Sequence, residues 1–193
     1  FDGRGYVNNG DVRAADFIVD ELKKIGVQPF KNKPFTQEYQ FNVNSFPYPI
    51  EVVLGKDTLI PGADYLVNAI SGTAHGDFKV VEINKENYQD VTQGKINFKL
   101  MDPSQTIFAF NFLGTKNKEL LKEINALAYQ TTQYFPVITT TASKQMYSVG
   151  RQHSNYPLIS IDSAAYKTVN SASIKVTNKY LPNYTSKNVI GLI

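Results

Sequence analysis

Most of this chain is written as short apolar stretches, each closed by a turn signal, and that pattern restricts it to a fold in which strands outnumber helices. From Ile50 onward, Glu51-Val52-Val53-Leu54 meets Gly55-Lys56-Asp57, Thr58-Leu59-Ile60 returns, and Pro61-Gly62 closes the pair, as in a tight hairpin. Further strands are expected at Tyr65 to Ile70, Phe78 to Ile83, Ile96 to Met101, Phe135 to Thr140, Leu158 to Ile161 and Ile174 to Thr177. Helices interrupt this series. The clearest runs from about Asp11 to Ile25: Asp11 is placed to cap the first turn, and Ala14, Ala15, Phe17, Ile18, Leu22 and Ile25 recur at helical spacing as the inward face. Gly26 supplies its left-handed end and Pro29 lies beyond. A second, about Asn117 to Gln130, turns Leu120, Leu121, Ile124, Leu127 and Ala128 inward, and a short third is expected behind Asp162. Interspersed helices among more numerous strands predict an α+β protein, an open β-barrel or sandwich with flanking helices.

The segment Phe35 to Val43 alternates, with Phe35, Gln37, Tyr39, Phe41 and Val43 on one side as the buried face of a strand. Phe46-Pro47-Tyr48-Pro49 then breaks it and marks a first domain boundary. The run Lys187 to Ile193 reads as a buried strand, which needs neighbours on both edges. That run, and the Gly-rich opening at Phe1-Asp2-Gly3 without an initiator Met, lead to the expectation that the chain is a piece of a longer protein.

Composition excludes several classes. With 42% hydrophobic and 19% charged residues there is material for a core and no signature of disorder. A net charge of +3, from 20 basic and 17 acidic side chains spread along the chain, leaves no electrostatic footprint for nucleic acid. The lysines at 23, 24, 31 and 33 read as a solvated helix end and loop. Cysteine is absent, so disulfides and thiolate metal sites are excluded. No apolar run approaches the roughly 20 residues of a membrane span.

Few motifs carry chemistry. His75-Gly76-Asp77 has a spacing used in metal ligation, but it lacks further ligands and a base, and an exposed turn before a strand accounts for it. There is no nucleophile elbow, and Ser154 beside His153 has the wrong relation for a triad. Gly3-Arg4-Gly5-Tyr6 precedes a helix without the preceding strand or the Lys-Ser/Thr of a phosphate loop. Asn183-Tyr184-Thr185 is a single glycosylation sequon of a length that arises by chance. Arg151-Gln152-His153-Ser154-Asn155-Tyr156 is the densest group of hydrogen-bonding side chains. It reads either as a ligand-contacting loop, in which Arg151 could grip a carboxylate, or as a polar connection between two strands.

Three segments together resemble the co-catalytic zinc aminopeptidase and carboxypeptidase family that includes glutamate carboxypeptidase and, as a non-catalytic relative, the transferrin receptor. They are Gly3-Arg4-Gly5 through the helix Asp11 to Gly26, the strand Phe35-Thr36-Gln37-Glu38-Tyr39, and Ser186-Lys187-Asn188-Val189-Ile190-Gly191, similar to the strand that enters the catalytic sheet. Between them, residues 47–182 resemble a protease-associated domain. That likeness rests on Phe78 to Ile83, Asp90-Val91, Gly94-Lys95-Ile96, the second helix, and the strand ending Tyr156-Pro157-Leu158-Ile159-Ser160-Ile161, although Ala128-Tyr129-Gln130 replaces the usual small-residue turn after the helix. The resemblance implies residues 1–46 as helix and strand of a peptidase domain, 47–182 as an inserted protease-associated-like domain, and 183–193 as the strand leading into the catalytic domain. It implies two zinc ions in the parent, with ligands downstream of Asn188-Val189-Ile190. No cofactor and no catalytic or metal-binding residue is therefore expected in this chain, and His75 and Asp77 are not the ligand pair. The expected partner is a peptide substrate reached through the catalytic domain, and the protein is expected to be exported, at the periplasm, cell surface or beyond. Arg151, Gln152, His153 and Asn155 correspond to a segment that faces substrate in glutamate carboxypeptidase-like members. Two other readings compete: an interaction module of a relative that lost its metals, and a free-standing domain that binds glycans through an exposed aromatic row.

Overall fold

The computed structural model describes residues 6–93, 100–143 and 146–192. In chain order these form α1 (Gly10–Lys24), β1 (Gln28–Pro29), β2 (Thr36–Ser45), β3 (Glu51–Leu54), β4 (Asp57–Thr58), β5 (Tyr65–Val67), β6 (Ala74–Ile83), α2 (Tyr88–Thr92), β7 (Thr106–Phe110), α3 (Lys118–Thr131), β8 (Val137–Thr141), β9 (Leu158–Asp162), β10 (Ser171–Val176), β11 (Lys179–Val189) and β12 (Gly191–Leu192). The Gly3-Arg4-Gly5 turn, the Gly94-Lys95-Ile96 element with the start of the strand expected at Ile96, and Ile193 lie outside the described residues.

The α+β class holds. Eight strands form one mixed sheet in the order β4-β3-β10-β6-β7-β8-β9-β5, in which β6, β7, β8 and β9 run parallel and the flanking pairs antiparallel. β7 lies in the interior of this sheet and is buried at every position. Its side chains alternate between two cores: Ile107 and Ala109 join one cluster, Phe108 and Phe110 the other. The second cluster is covered by α3, whose Ile124 and Ala128 pack among Phe108, Phe110 and Phe135. Asn117 starts α3, its side-chain oxygen accepting from the N–H groups of Glu119 (3.1 Å) and Leu120 (3.2 Å). The first cluster combines Val52 and Leu54 of β3 with Ile138, Ile159 and Tyr65 from the far end of the sheet. Strands so distant in the order share a core only if the sheet curls, so it is an open half-barrel and not two packed sheets.

Apart from this sheet stands a ribbon: β2 pairs antiparallel with β11, with a register shift between Leu181 and Tyr184. β1 pairs with β12 beside it, and α1 packs on β11. The ribbon's two strands therefore bracket the whole half-barrel in the chain.

Several expectations are corrected. α1 begins one residue early, and its N-cap is Asn9 in a left-handed conformation without a side-chain cap, so Asp11 lies inside the first turn and serves another purpose. Its C-terminus is as expected: Gly26 N–H bonds to Lys23 C=O and Val27 N–H to Leu22 C=O around a left-handed Gly26, a Schellman motif. Only Ala14 and Ala15 of the expected inward face are buried, while Phe17, Ile18 and Ile25 are exposed, because a two-stranded ribbon offers too narrow a platform to cover the stripe. For the same reason Gln37 and Tyr39 of β2 are exposed where a buried face was expected. His75-Gly76-Asp77 lies within β6 rather than in a turn, His75 standing opposite Lys175. Behind Asp162 the carboxylate does accept from Ala164 N–H (2.8 Å), but one turn forms and no helix follows.

Candidate functional site

The face where α1, the ribbon and the 150–155 loop meet is built from residues far apart in sequence. Small Ala14 and Ala15 let α1 approach β11 closely. Asp11 then reaches across the helix start, accepting from Tyr184 Oη (2.6 Å) and Ser186 Oγ (2.7 Å). A carboxylate in the first turn is also favoured by the helix dipole. The Lys187 ammonium adds an ion pair to Asp16. Burial, and then the hydrogen bond and charge of Asp11, push the Tyr184 phenol well above the ordinary tyrosine range. Burial likewise raises Tyr6.

These tyrosines belong to an aromatic cluster on the ribbon. Tyr6 meets Phe41 and Tyr184 edge-on, each with centroids 5.3 Å apart, and Tyr39 stacks on Phe41 at 5.4 Å. Beside them Tyr6, Asp11, Ile18, Tyr39, Ser186 and Asn188 border a hollow of about 380 Å³.

Of the residues singled out in the loop, Arg151, Gln152, His153 and Asn155 are all exposed, but they do not converge. Arg151 places its guanidinium 5.9 Å from the Phe41 ring centroid, a cation–π arrangement, and His153 lies edge-on to Tyr180 at 4.9 Å, so these two meet the ribbon. Gln152 instead donates to Tyr129 Oη (3.4 Å) on α3, and Asn155 donates to the Gln133 carbonyl (2.9 Å) beyond it. His153 Nδ1 bonds the Ser154 carbonyl at 3.0 Å. Ser154 between them is buried and donates to backbone carbonyls.

Two polar clusters were not foreseen. One is the Asp11, Tyr184, Ser186 group, in which Asp11 lies more than 170 residues from the other two and leaves no local signal. The other surrounds Glu82 near the C-terminal end of β6: its carboxylate accepts from Tyr166 Oη (2.7 Å) and Thr168 Oγ1 (3.1 Å), with the amides of Asn84 and Asn111 at 3.4 Å. Burial, with the bond to Glu82, raises the Tyr166 phenol. With its oxygens turned toward four protein donors, Glu82 braces the strand ends.

Among the described residues no group of three or more His, Asp or Glu could hold a metal ion. His75 is exposed and shares a hydrogen bond with Thr177 Oγ1 (2.6 Å). No helix among the described residues is long and apolar enough to cross a membrane.

No protein-family model matches the chain, and no curated protein matches it in sequence. In structure it is similar to an aminopeptidase from Aneurinibacillus sp. strain AM-1, with a TM-score of 0.45 and 15% sequence identity over 94% of this chain. The match covers 42% of that aminopeptidase, so the chain spans under half its length.

Proposed function

We propose that this chain is the non-catalytic accessory portion of an exported zinc-dependent exopeptidase, an aminopeptidase, in which residues 1–46 and 183–193 belong to the peptidase domain. Residues 47–182 are then a protease-associated-like insert that stands over the active site and limits or assists access of a peptide substrate. One observation carries the reading. The three segments on which the resemblance rests, scattered over the length of the chain, meet in space: Ser186 stands opposite Tyr39 in the ribbon, and Asp11 of α1 accepts from Ser186 Oγ at 2.7 Å. A segment inserted between paired strands leaves the parent sheet intact, which is how an accessory domain is added without disrupting a fold. The exposed apolar residues of α1 fit a surface that further strands and helices cover. Arg151, Gln152, His153 and Asn155 are exposed, as groups that touch substrate must be. Export and the two zinc ions of the parent enter through the resemblance alone. Bound zinc would supply an activated water, from ligands outside this chain.

The test compares this chain with the protein made from its complete reading frame, measuring bound zinc by mass spectrometry and hydrolysis of aminoacyl nitroanilides. Zinc and activity confined to the longer protein are the expected result. A longer protein without zinc or activity would replace the enzyme reading with that of an interaction module, and hydrolysis by this chain itself would refute the accessory role.

A further inference from the structure

Four stretches of chain converge where the ribbon meets the half-barrel: the end of β2, residues 69–73 after β5, the 150–155 loop, and the crossing from β10 to β11. Asn44 is at the centre and only 5% exposed. Its side-chain amide donates to the carbonyls of Ala69 (2.9 Å) and Ser71 (2.8 Å), and its N–H donates to Gly150 C=O (2.7 Å). Its side-chain oxygen accepts from Asn178 Nδ2 (2.7 Å), and Thr73 Oγ1 both donates to Asn178 Oδ1 (2.8 Å) and accepts from Asn178 N–H (3.1 Å). The loop is fastened in turn: Ser154 N–H donates to Ile70 C=O (2.7 Å), and Tyr180 Oη donates to Arg151 C=O (3.4 Å). Two glycines make this closeness possible. A Cβ on Gly150 would lie 2.1 Å from the Ala69 carbonyl oxygen, and one on Gly72 would lie 2.3 Å from that of Asn155.

We infer that this junction is a rigid weld, so that the half-barrel is fixed on the ribbon in one orientation and does not swing as a lid. A hinge is built from a few residues whose backbone can turn without uncovering buried polar groups. Here any rotation would strip the buried Asn44 amide and the carbonyls of Ala69, Ser71 and Gly150 of these partners, and unpaired buried groups are costly. The half-barrel backbone also lies close against the ribbon at Gly150, where a Cβ would stand 3.3 Å from Asn44 Cβ. The weld therefore presents the Arg151 guanidinium and the His153 ring at a fixed place along the ribbon.

The chain has no cysteine, so pairs of spin labels can be introduced without background. Labels at Glu38→Cys on β2 and Lys122→Cys on α3 span the junction, and labels at Lys79→Cys and Lys122→Cys lie within the half-barrel. Pulsed dipolar spectroscopy is expected to give one narrow distance for the spanning pair, no wider than the internal pair. In Asn44→Ala, and in the milder Asn178→Ala should the first fail to fold, the spanning distribution should at least double in width while the internal pair is unchanged. A broad or two-peaked spanning distribution in the unaltered junction would overturn the weld, and so would folded variants whose spanning distance stays as narrow as before.

Discussion

Replacing Gly150 with Ala puts the junction to a quantitative test. The added methyl would stand 2.1 Å from the Ala69 carbonyl oxygen and 2.7 Å from its carbon, so the two backbones must part by on the order of 1 Å to reach van der Waals contact. The bond from Asn44 N–H to Gly150 C=O, 2.7 Å long, would then exceed hydrogen-bonding distance. Overpacking of this kind costs about 2 kcal/mol and a buried hydrogen bond about 1 kcal/mol, so Gly150→Ala should destabilise the chain by roughly 3 kcal/mol. At about 3 °C per kcal/mol for a domain of this size, thermal unfolding followed by circular dichroism should show Tm lowered by about 9 °C. Gly62→Ala is the control: φ there is +80° and nothing lies within 4 Å, so it meets only backbone strain of about 1 kcal/mol, or about 3 °C. Were Gly150→Ala to melt no lower than Gly62→Ala, the close approach that defines the junction would be refuted.

Other perturbations have separate readouts. Phe108→Ala, which empties a position edge-on to Phe135 at 5.0 Å, should cost about 4 kcal/mol in urea unfolding. Asn117→Ala removes both bonds to the start of α3 and should cost about 1 kcal/mol by the same assay. Ile25→Ser at the end of α1, where the side chain is 73% exposed, should change this chain's stability by less than about 0.5 kcal/mol. Tyr166 and Tyr184 hold their phenol protons more tightly in the folded state than in the unfolded. Their contribution to stability is thus complete below the ordinary tyrosine pKa of about 10 and is lost as pH rises through the higher folded values. Tyr166→Phe should therefore flatten the alkaline fall in Tm measured by circular dichroism.

What could be read from sequence was whatever is written locally. α3 carries its inward face within one segment, and Ile124 and Ala128 do what their spacing predicts, while the structure adds the cap by Asn117. The hairpin of β3 and β4 is legible in Gly55, which takes φ 60° at the first position of a two-residue turn. β7 escaped notice because a strand covered on both faces has no alternation: Thr106 to Phe110 are all buried, and an apolar run of that length is ambiguous. The stripe on α1 was readable but its covering was not, since burial depends on the width of the platform beneath. At the candidate site, the loop at Arg151 stood out by composition, yet its side chains divide between the ribbon and α3. Asp11 reads locally as a cap because the hydroxyls that donate to it, on Tyr184 and Ser186, reach it only when β11 folds back onto α1. Asn44, which organises the junction, looks in the sequence like any polar residue at the end of a strand.

The ribbon is the seam on which the whole account depends, and its register can be trapped directly. Gln40 and Thr185 stand opposite each other on β2 and β11, their side chains 3.2 Å apart at the nearest atoms, and directly opposed antiparallel positions can accept a disulfide. In Gln40→Cys with Thr185→Cys, mild oxidation should close the bond in nearly every molecule and raise Tm, while Gln40→Cys with Asn188→Cys should not cross-link. Equal cross-linking of both pairs, or none in the first, would mean that β2 and β11 do not pair in this register, and the picture of a half-barrel inserted between two paired strands would fall with it.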